Sequence, residues 1–265
     1  MSDREIPLRF LTTPLADFST TPQPAPESYF TRLPSVTGRA MENRFTAGHL
    51  VYGGRTRWSS YMDEDEVADV TARVMVVPSD NPSAAQVLDA PHNVIRVESI
   101  GEDAIITGYH SREALSMSVI DLSGAPRVAD TARLAARFET EGRSHAFNYT
   151  LAADGSGTLG IPTGEAQWRS GRWIWDSESS DVSFVALSAD HRLASLGELS
   201  TKDESEHPSY QCEVSCIDWY GNSRPIFVGP RIFALSGTEI IEGRVRSGRI
   251  DELARVNLTA PPPRH

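Results

Sequence analysis

The sequence predicts an all-β fold, a β-propeller or partial propeller of about four blade-like units, with a β-sandwich as the alternative. Three features predict it. Short segments with alternating apolar residues recur along most of the chain, the period-2 pattern of half-buried strands. Turn formers separate them: the 19 Gly and 17 Pro are scattered rather than gathered into tracts. The segments also fall into units of roughly 45 to 55 residues, near the size of one four-stranded blade. Each unit offers an apolar sheet face that a neighbouring unit must cover, and radial stacking meets that need.

The elements follow in chain order. Residues 1–40 hold six prolines and are expected to form a proline-rich arm or linker with one strand at residues 6–11. The β domain is expected over residues 41–258, with a disordered tail at 259–265. Its first unit opens with FTAGHLVYGG as a strand running into a glycine turn. An acidic loop at 63–69 and the strands VTARVMVVP and SAAQVLD follow. The second unit, residues 92–134, is the clearest: NVIRVESIG, AIITGYH, LSMSVIDL and RVADTARLA read as four strands. ADTARLAARFETEG could carry a short helix instead, because its apolar spacing is ambiguous. The third unit runs from RSHAFNYTLA through GTLGIPTG, an aromatic hairpin AQWRSGRWIWDS, and DVSFVALSADHRLASLGEL. The fourth begins near Tyr210 and contains QCEVSCIDWYG, RPIFVGPRIFALSGTEIIEGRV and RIDELARVNL.

Composition narrows the partners. The net charge of -11 disfavours nucleic acid and anionic membranes. No apolar run reaches 18 residues, so no membrane span is expected. The N-terminus lacks a basic region followed by an apolar stretch, and the expected location is the cytoplasm. Of the 25 basic residues, only Lys202 is lysine; codon bias explains this better than anion recognition, since a ligand site would need only a few arginines. Cys212 and Cys216 would lie roughly 13 Å apart on a straight strand, too far for a disulfide. Two buried thiols, a disulfide across a bulge, and a metal-binding or reactive pair all remain open.

Several stretches resemble a family of bacterial β-propeller-domain proteins: MENRF at 41–45 followed by HLVYG, APHNVIRVESIGEDAIITG, GRSHAFNY, CIDWYGNSRPIF and RIFALSGTEIIEGR. The resemblance covers residues 41–258 and is to the carboxyl-terminal blades of a longer chain. It implies the propeller fold but carries no chemical activity with it. Its members are often secreted, in contrast to the location expected here. If the chain is the second half of a larger ring, its open ends need cover. A second propeller-forming chain or a homo-oligomer is the expected partner.

The candidate site lies at the ring mouth. His92 and His145 each precede the presumed innermost strand of a unit. With Asp218 and Glu42 from the other two units they form a candidate set for a divalent first-row metal, and His92, His145 and Asp218 are the candidate catalytic groups. The alternative for each histidine is a hydrogen bond to a neighbouring backbone. Arg96, Arg143 and Arg224 could bind a carboxylate or phosphate of a small-molecule ligand, or pair with some of the 36 acidic residues. Trp219 belongs to the same ligand set, or packs inward to fix the turn at 218–222. Trp168, Trp173 and Trp175 form a seam between units or an aromatic platform. Two functions follow: a binding or assembly scaffold using the ring mouth, completed by a partner, and a small-molecule enzyme with an axial His/carboxylate site.

Overall fold

The computed structural model describes residues 4–18, 21, 23–38, 40–55, 72–111, 113–169, 172–175, 181–200, 223–236 and 239–258. The strands expected at 210–220 and the acidic loop at 63–69 lie outside the described residues, as does the tail at 259–265. The described residues are all-β, in five antiparallel sheets.

Sheet I pairs β1 (Arg4–Leu11) with β2 (Phe30–Gly38). The proline-rich stretch thus contributes a two-stranded sheet, where a single strand was expected. Its prolines sit mostly between the two strands, where their missing N–H costs no ladder bond. Sheet II is a meander of β3 (Ala40–Thr46), β4 (His49–Arg55), β5 (Ala72–Pro78) and β6 (Gln86–Ala90). FTAGHLVYGG is therefore a hairpin turning at Ala47-Gly48, both with positive φ, as a type I′ turn requires. Sheet III is a second meander, β7 (Arg96–Ile100), β8 (Asp103–Ser111), β9 (Ala114–Asp121) and β10 (Arg127–Ala135). All four strands expected in this unit are present.

Sheet IV is larger. Its long strand β13 (Gly157–Arg169) pairs along one edge with β11 (Arg137–Glu139) and β12 (Asn148–Leu151). On the other edge lie β15 (Asp181–Leu187) and β16 (Leu193–Ser200). The segment 129–142 is strand rather than helix: β10 and β11 fill most of it, each paired along a sheet edge. The expected aromatic hairpin forms between β13 and β14 (Arg172–Trp175), with Trp168 opposite Trp173. Sheet V closes the described chain with β17 (Arg224–Val228), β18 (Arg231–Ser236), β19 (Glu239–Arg246) and β20 (Arg249–Asn257).

The sheets stack in chain order. Side-chain alternation sends successive residues of one strand to opposite neighbours. In β8, Ala104 and Ile106 join the core shared with sheet II, while Ile105 joins the core shared with sheet IV. Every residue of β9 is buried as a result. Among the described residues there are four apolar cores, one at each consecutive junction from I/II to IV/V. None joins sheet V back to sheet I, so a closed ring is not part of the described architecture. The blade-like meanders are present; closure is not.

One close approach fixes the start of sheet III. Residues 92–95 run against the end of β8, with Asn93 N–H donating to the Tyr109 carbonyl and Tyr109 N–H donating to Asn93 Oδ1 at 2.7 Å. Gly108 permits this, since a Cβ there would lie 1.6 Å from the Asn93 carbonyl oxygen. We expect Gly108→Ala to cost about 3 kcal/mol or more through overpacking, read as a lowered urea midpoint. Unchanged stability would show that this approach is not maintained in solution.

Candidate functional site

Among the described residues, the candidate metal ligands singled out in the sequence lie apart from one another. His92 is buried between sheets II and III. Its Nδ1 lies 2.7 Å from the Asn93 carbonyl and its Nε2 lies 2.8 Å from Ser118 Oγ. A carbonyl only accepts, so Nδ1 carries the proton and Nε2 accepts from the serine. Both nitrogens are engaged, which leaves no lone pair for an ion. Burial pulls the imidazolium down to about 4, against the opposing pull of the Asn93 carbonyl. His145 is exposed in a short 3-10 turn, Ser144–Ala146. Glu42 is half-buried on β3, 3.8 Å from Arg55. Asp218 and Trp219 lie outside the described residues, as do Cys212 and Cys216. Among the described residues, His92, His145 and Glu42 form no donor cluster.

The three candidate arginines part company. Arg143 and Arg224 are exposed. Arg96 is buried, and all five of its N–H donors are used. Nε and one terminal nitrogen bond Glu139; the other bonds Glu98 at 2.8 Å and the Arg143 carbonyl at 3.0 Å; the fifth bond goes to the Glu141 carbonyl. Arg44 of β3 pairs with the second oxygen of Glu98, and Thr107 donates to the second oxygen of Glu139 at 3.2 Å. Tyr109 Oη accepts from the Glu139 N–H at 2.8 Å, and burial beside that carboxylate pushes its phenol up. Arg96 is thus the centre of a balanced charge network joining sheets II, III and IV, rather than an anion receptor. Trp168 is exposed on the rim of sheet IV; the side chains of Trp173 and Trp175 lie outside the described residues.

A different cluster does form. Asp103, Asp121 and His191 bring one donor atom each to within 4.8 Å of the others, and no other three His, Cys, Asp or Glu side chains among the described residues do so. The fold explains the meeting. Asp103 follows the tight turn at Gly101 and opens β8, while Asp121 ends β9, the strand beside it. Both therefore stand at one rim of sheet III. His191 occupies the turn between β15 and β16 of sheet IV, which reaches the same rim. Its backbone has φ 62°, a conformation uncommon for a residue other than glycine. It is held there by the His191 N–H donating to the Ser188 carbonyl.

The cluster is half-buried and reachable: side-chain exposures are 24 % for His191, 13 % for Asp103 and 9 % for Asp121. His191 Nε2 lies 2.8 Å from Asp103 Oδ2, and Nδ1 lies 3.9 Å from Asp121 Oδ2. The remaining carboxylate contacts are donors from the protein. Leu122 N–H donates to Asp103 at 3.0 Å. Ser123 donates twice to Asp121, and Arg127 donates at 2.6 Å. Partial burial raises the Asp121 carboxyl, but Ser123, His191 and Arg127 together hold it below the usual range. One imidazole and two oriented carboxylates suit a divalent cation, and outer donors of this kind fix the ligand oxygens. The next inter-sheet groove on this rim, between sheets IV and V, is a cleft of about 700 Å³ lined by Thr150, Leu151, Leu187, Gly229, Ile232 and Val245.

Asp103 and His191 border turns that are legible in the sequence, and Asp121 ends the strand expected at 115–122. The missing information was that turns of successive units share a rim. No protein-family model matches the chain, and no curated protein matches it. Among the described residues, no helix is long and apolar enough to cross a membrane.

Two outcomes follow. Arg96→Met would leave Glu139 buried without its cation, and we expect a loss of about 3 to 5 kcal/mol by urea unfolding. His92 has its folded value depressed from 6.5 to about 4. Its contribution is therefore complete above pH 6.5, declines as the pH falls from there, and is gone below pH 4, for a total of about 3 kcal/mol. We expect His92→Gln to flatten the pH dependence of the unfolding midpoint between those limits. A variant with the parent's slope would show that other groups dominate acid unfolding.

Proposed function

We propose that the chain is a sheet-stack binding protein that takes a divalent cation, and through it a small polar ligand, at Asp103, Asp121 and His191. The observation that carries this reading is the convergence of three ligating side chains, from two strand ends of one sheet and a turn of the next, within 4.8 Å. A set of one nitrogen and two oxygen donors leaves coordination positions open on a small cation. A cation there supplies Lewis acidity to a bound water or carbonyl. The protein's part is to keep both carboxylates oriented, through Ser123, Arg127 and Leu122. The site stands on an open rim rather than on a ring axis, so ligand access needs no opening of the stack.

The competing account of the same atoms is a purely protein ion pair, with His191 bridging the two sheets through Asp103. The two accounts differ in what a cation does. We expect calorimetric titration of the full chain with Zn²⁺ or Mn²⁺ to give one-to-one binding that weakens at lower pH, as the donors take up protons. Asp121→Asn and His191→Ala are each expected to weaken it at least ~10-fold. Absence of binding, or binding that both variants retain, would leave only the ion pair.

An assembly role draws support from a separate observation. Among the described residues, the last sheet has an apolar core on one face and no sheet on the other.

A further inference from the structure

The stack ends differently at its two ends. In sheet I, Ile6, Leu8, Phe10, Leu33 and Val36 turn toward sheet II. The opposite face shows Arg9 and Arg32, which stand opposite each other in the register, with Arg9 lying over the ring of Phe30 beside Leu11. Sheet I is an end cap of the kind stacked repeats require. Among the described residues, sheet V has no such cap. Its Ile232, Ala234, Ile241 and Ile250 face sheet IV. Register and alternation then place Ile226, Phe233, Leu235, Ile240 and Val256 on the outward face. Val228 and Val256 there are each 57 % exposed. An apolar face of this kind matches those buried at the four inner junctions.

The charges on this face identify the occupant. Alternation puts Arg224, Arg231, Arg244, Arg246 and Arg249 on the outward side, against only Glu242 and Asp251. Arg231 also lies over the Phe233 ring, 4.7 Å from its centroid. The outward face is therefore basic on a chain whose net charge is -11. A second copy docking by the same face would set arginines against arginines. A second copy docking head to tail would set them against Arg9 and Arg32, and Glu27 already holds Arg9. Arg231 already holds Glu242, and neither arrangement supplies carboxylates to Arg224, Arg246 or Arg249.

We propose that the outward face of sheet V docks a different protein chain, through an apolar β-sheet face fringed by Asp and Glu. The apolar strip drives burial, and the arginine fringe selects the partner and speeds its approach. This inference is independent of the cation site, which lies at another junction.

The test is photo-cross-linking of the full chain in the organism that encodes it, with p-benzoylphenylalanine at position 233 and, as a control, at position 9 of the cap. The expected result is one adduct specific to position 233. Its cross-linked peptide should alternate apolar residues with carboxylates. The purified partner so identified should bind the parent chain in a salt-sensitive manner, and Arg244→Glu with Arg246→Glu should weaken it at least ~10-fold without changing the unfolding midpoint. An adduct between two copies of this chain would overturn the proposal. So would no adduct at position 233, the same adduct from position 9, or a partner peptide without carboxylates.

Discussion

The arrangement of the central sheets depends on one buried cation. Arg96 spends every N–H donor on fixed acceptors, two of them carboxylates and two of them backbone carbonyls of the segment that leads into β12. Arg44 reaches the same Glu98 from sheet II. Apolar cores between sheets tolerate sliding, because dispersion and burial are not directional. A guanidinium with five filled donors is directional and sets both distance and register. The stacking of sheet III between II and IV therefore has an apolar driving force and a polar index. The two functions are separable in kind even though they act at the same junctions.

That index has consequences at the rim. Once sheets III and IV are held in register, the turns that end their strands come level. Asp103 and Asp121 then meet His191, whose positive φ holds it in the turn that reaches across. The site is thus a product of inter-sheet registration, not of any local motif.

The ends of the stack are governed by a different constraint. A sheet with two apolar faces needs two neighbours. Sheet I resolves this by presenting arginines outward, whereas sheet V presents Phe233, Leu235 and Ile240. A stack whose described sheets do not close on themselves must leave such a face or cap it. The described chain does one at each end.

The sequence by itself determined the strands and their turns. Alternation in β8 and β9, the positive-φ turns at Gly48 and Gly101, and the breaks at proline are local facts, carried by period and backbone preference. It also determined the four-stranded unit that sheet III forms. The strand at 30–38 escaped because its proline, Pro34, marks an edge strand as readily as a linker. The tertiary structure alone decided which turns share a rim, and hence that His191 joins two carboxylates some 70 to 90 positions earlier in the chain. It also decided the fate of His92 and Arg96. Both looked like candidates for chemistry, and both are held inside junctions by partners contributed from other strands. Contacts between sheets depend on how far each unit rotates and slides on the next. No period in the sequence encodes that rotation, and the buried charges that fix it become visible only when the sheets are stacked.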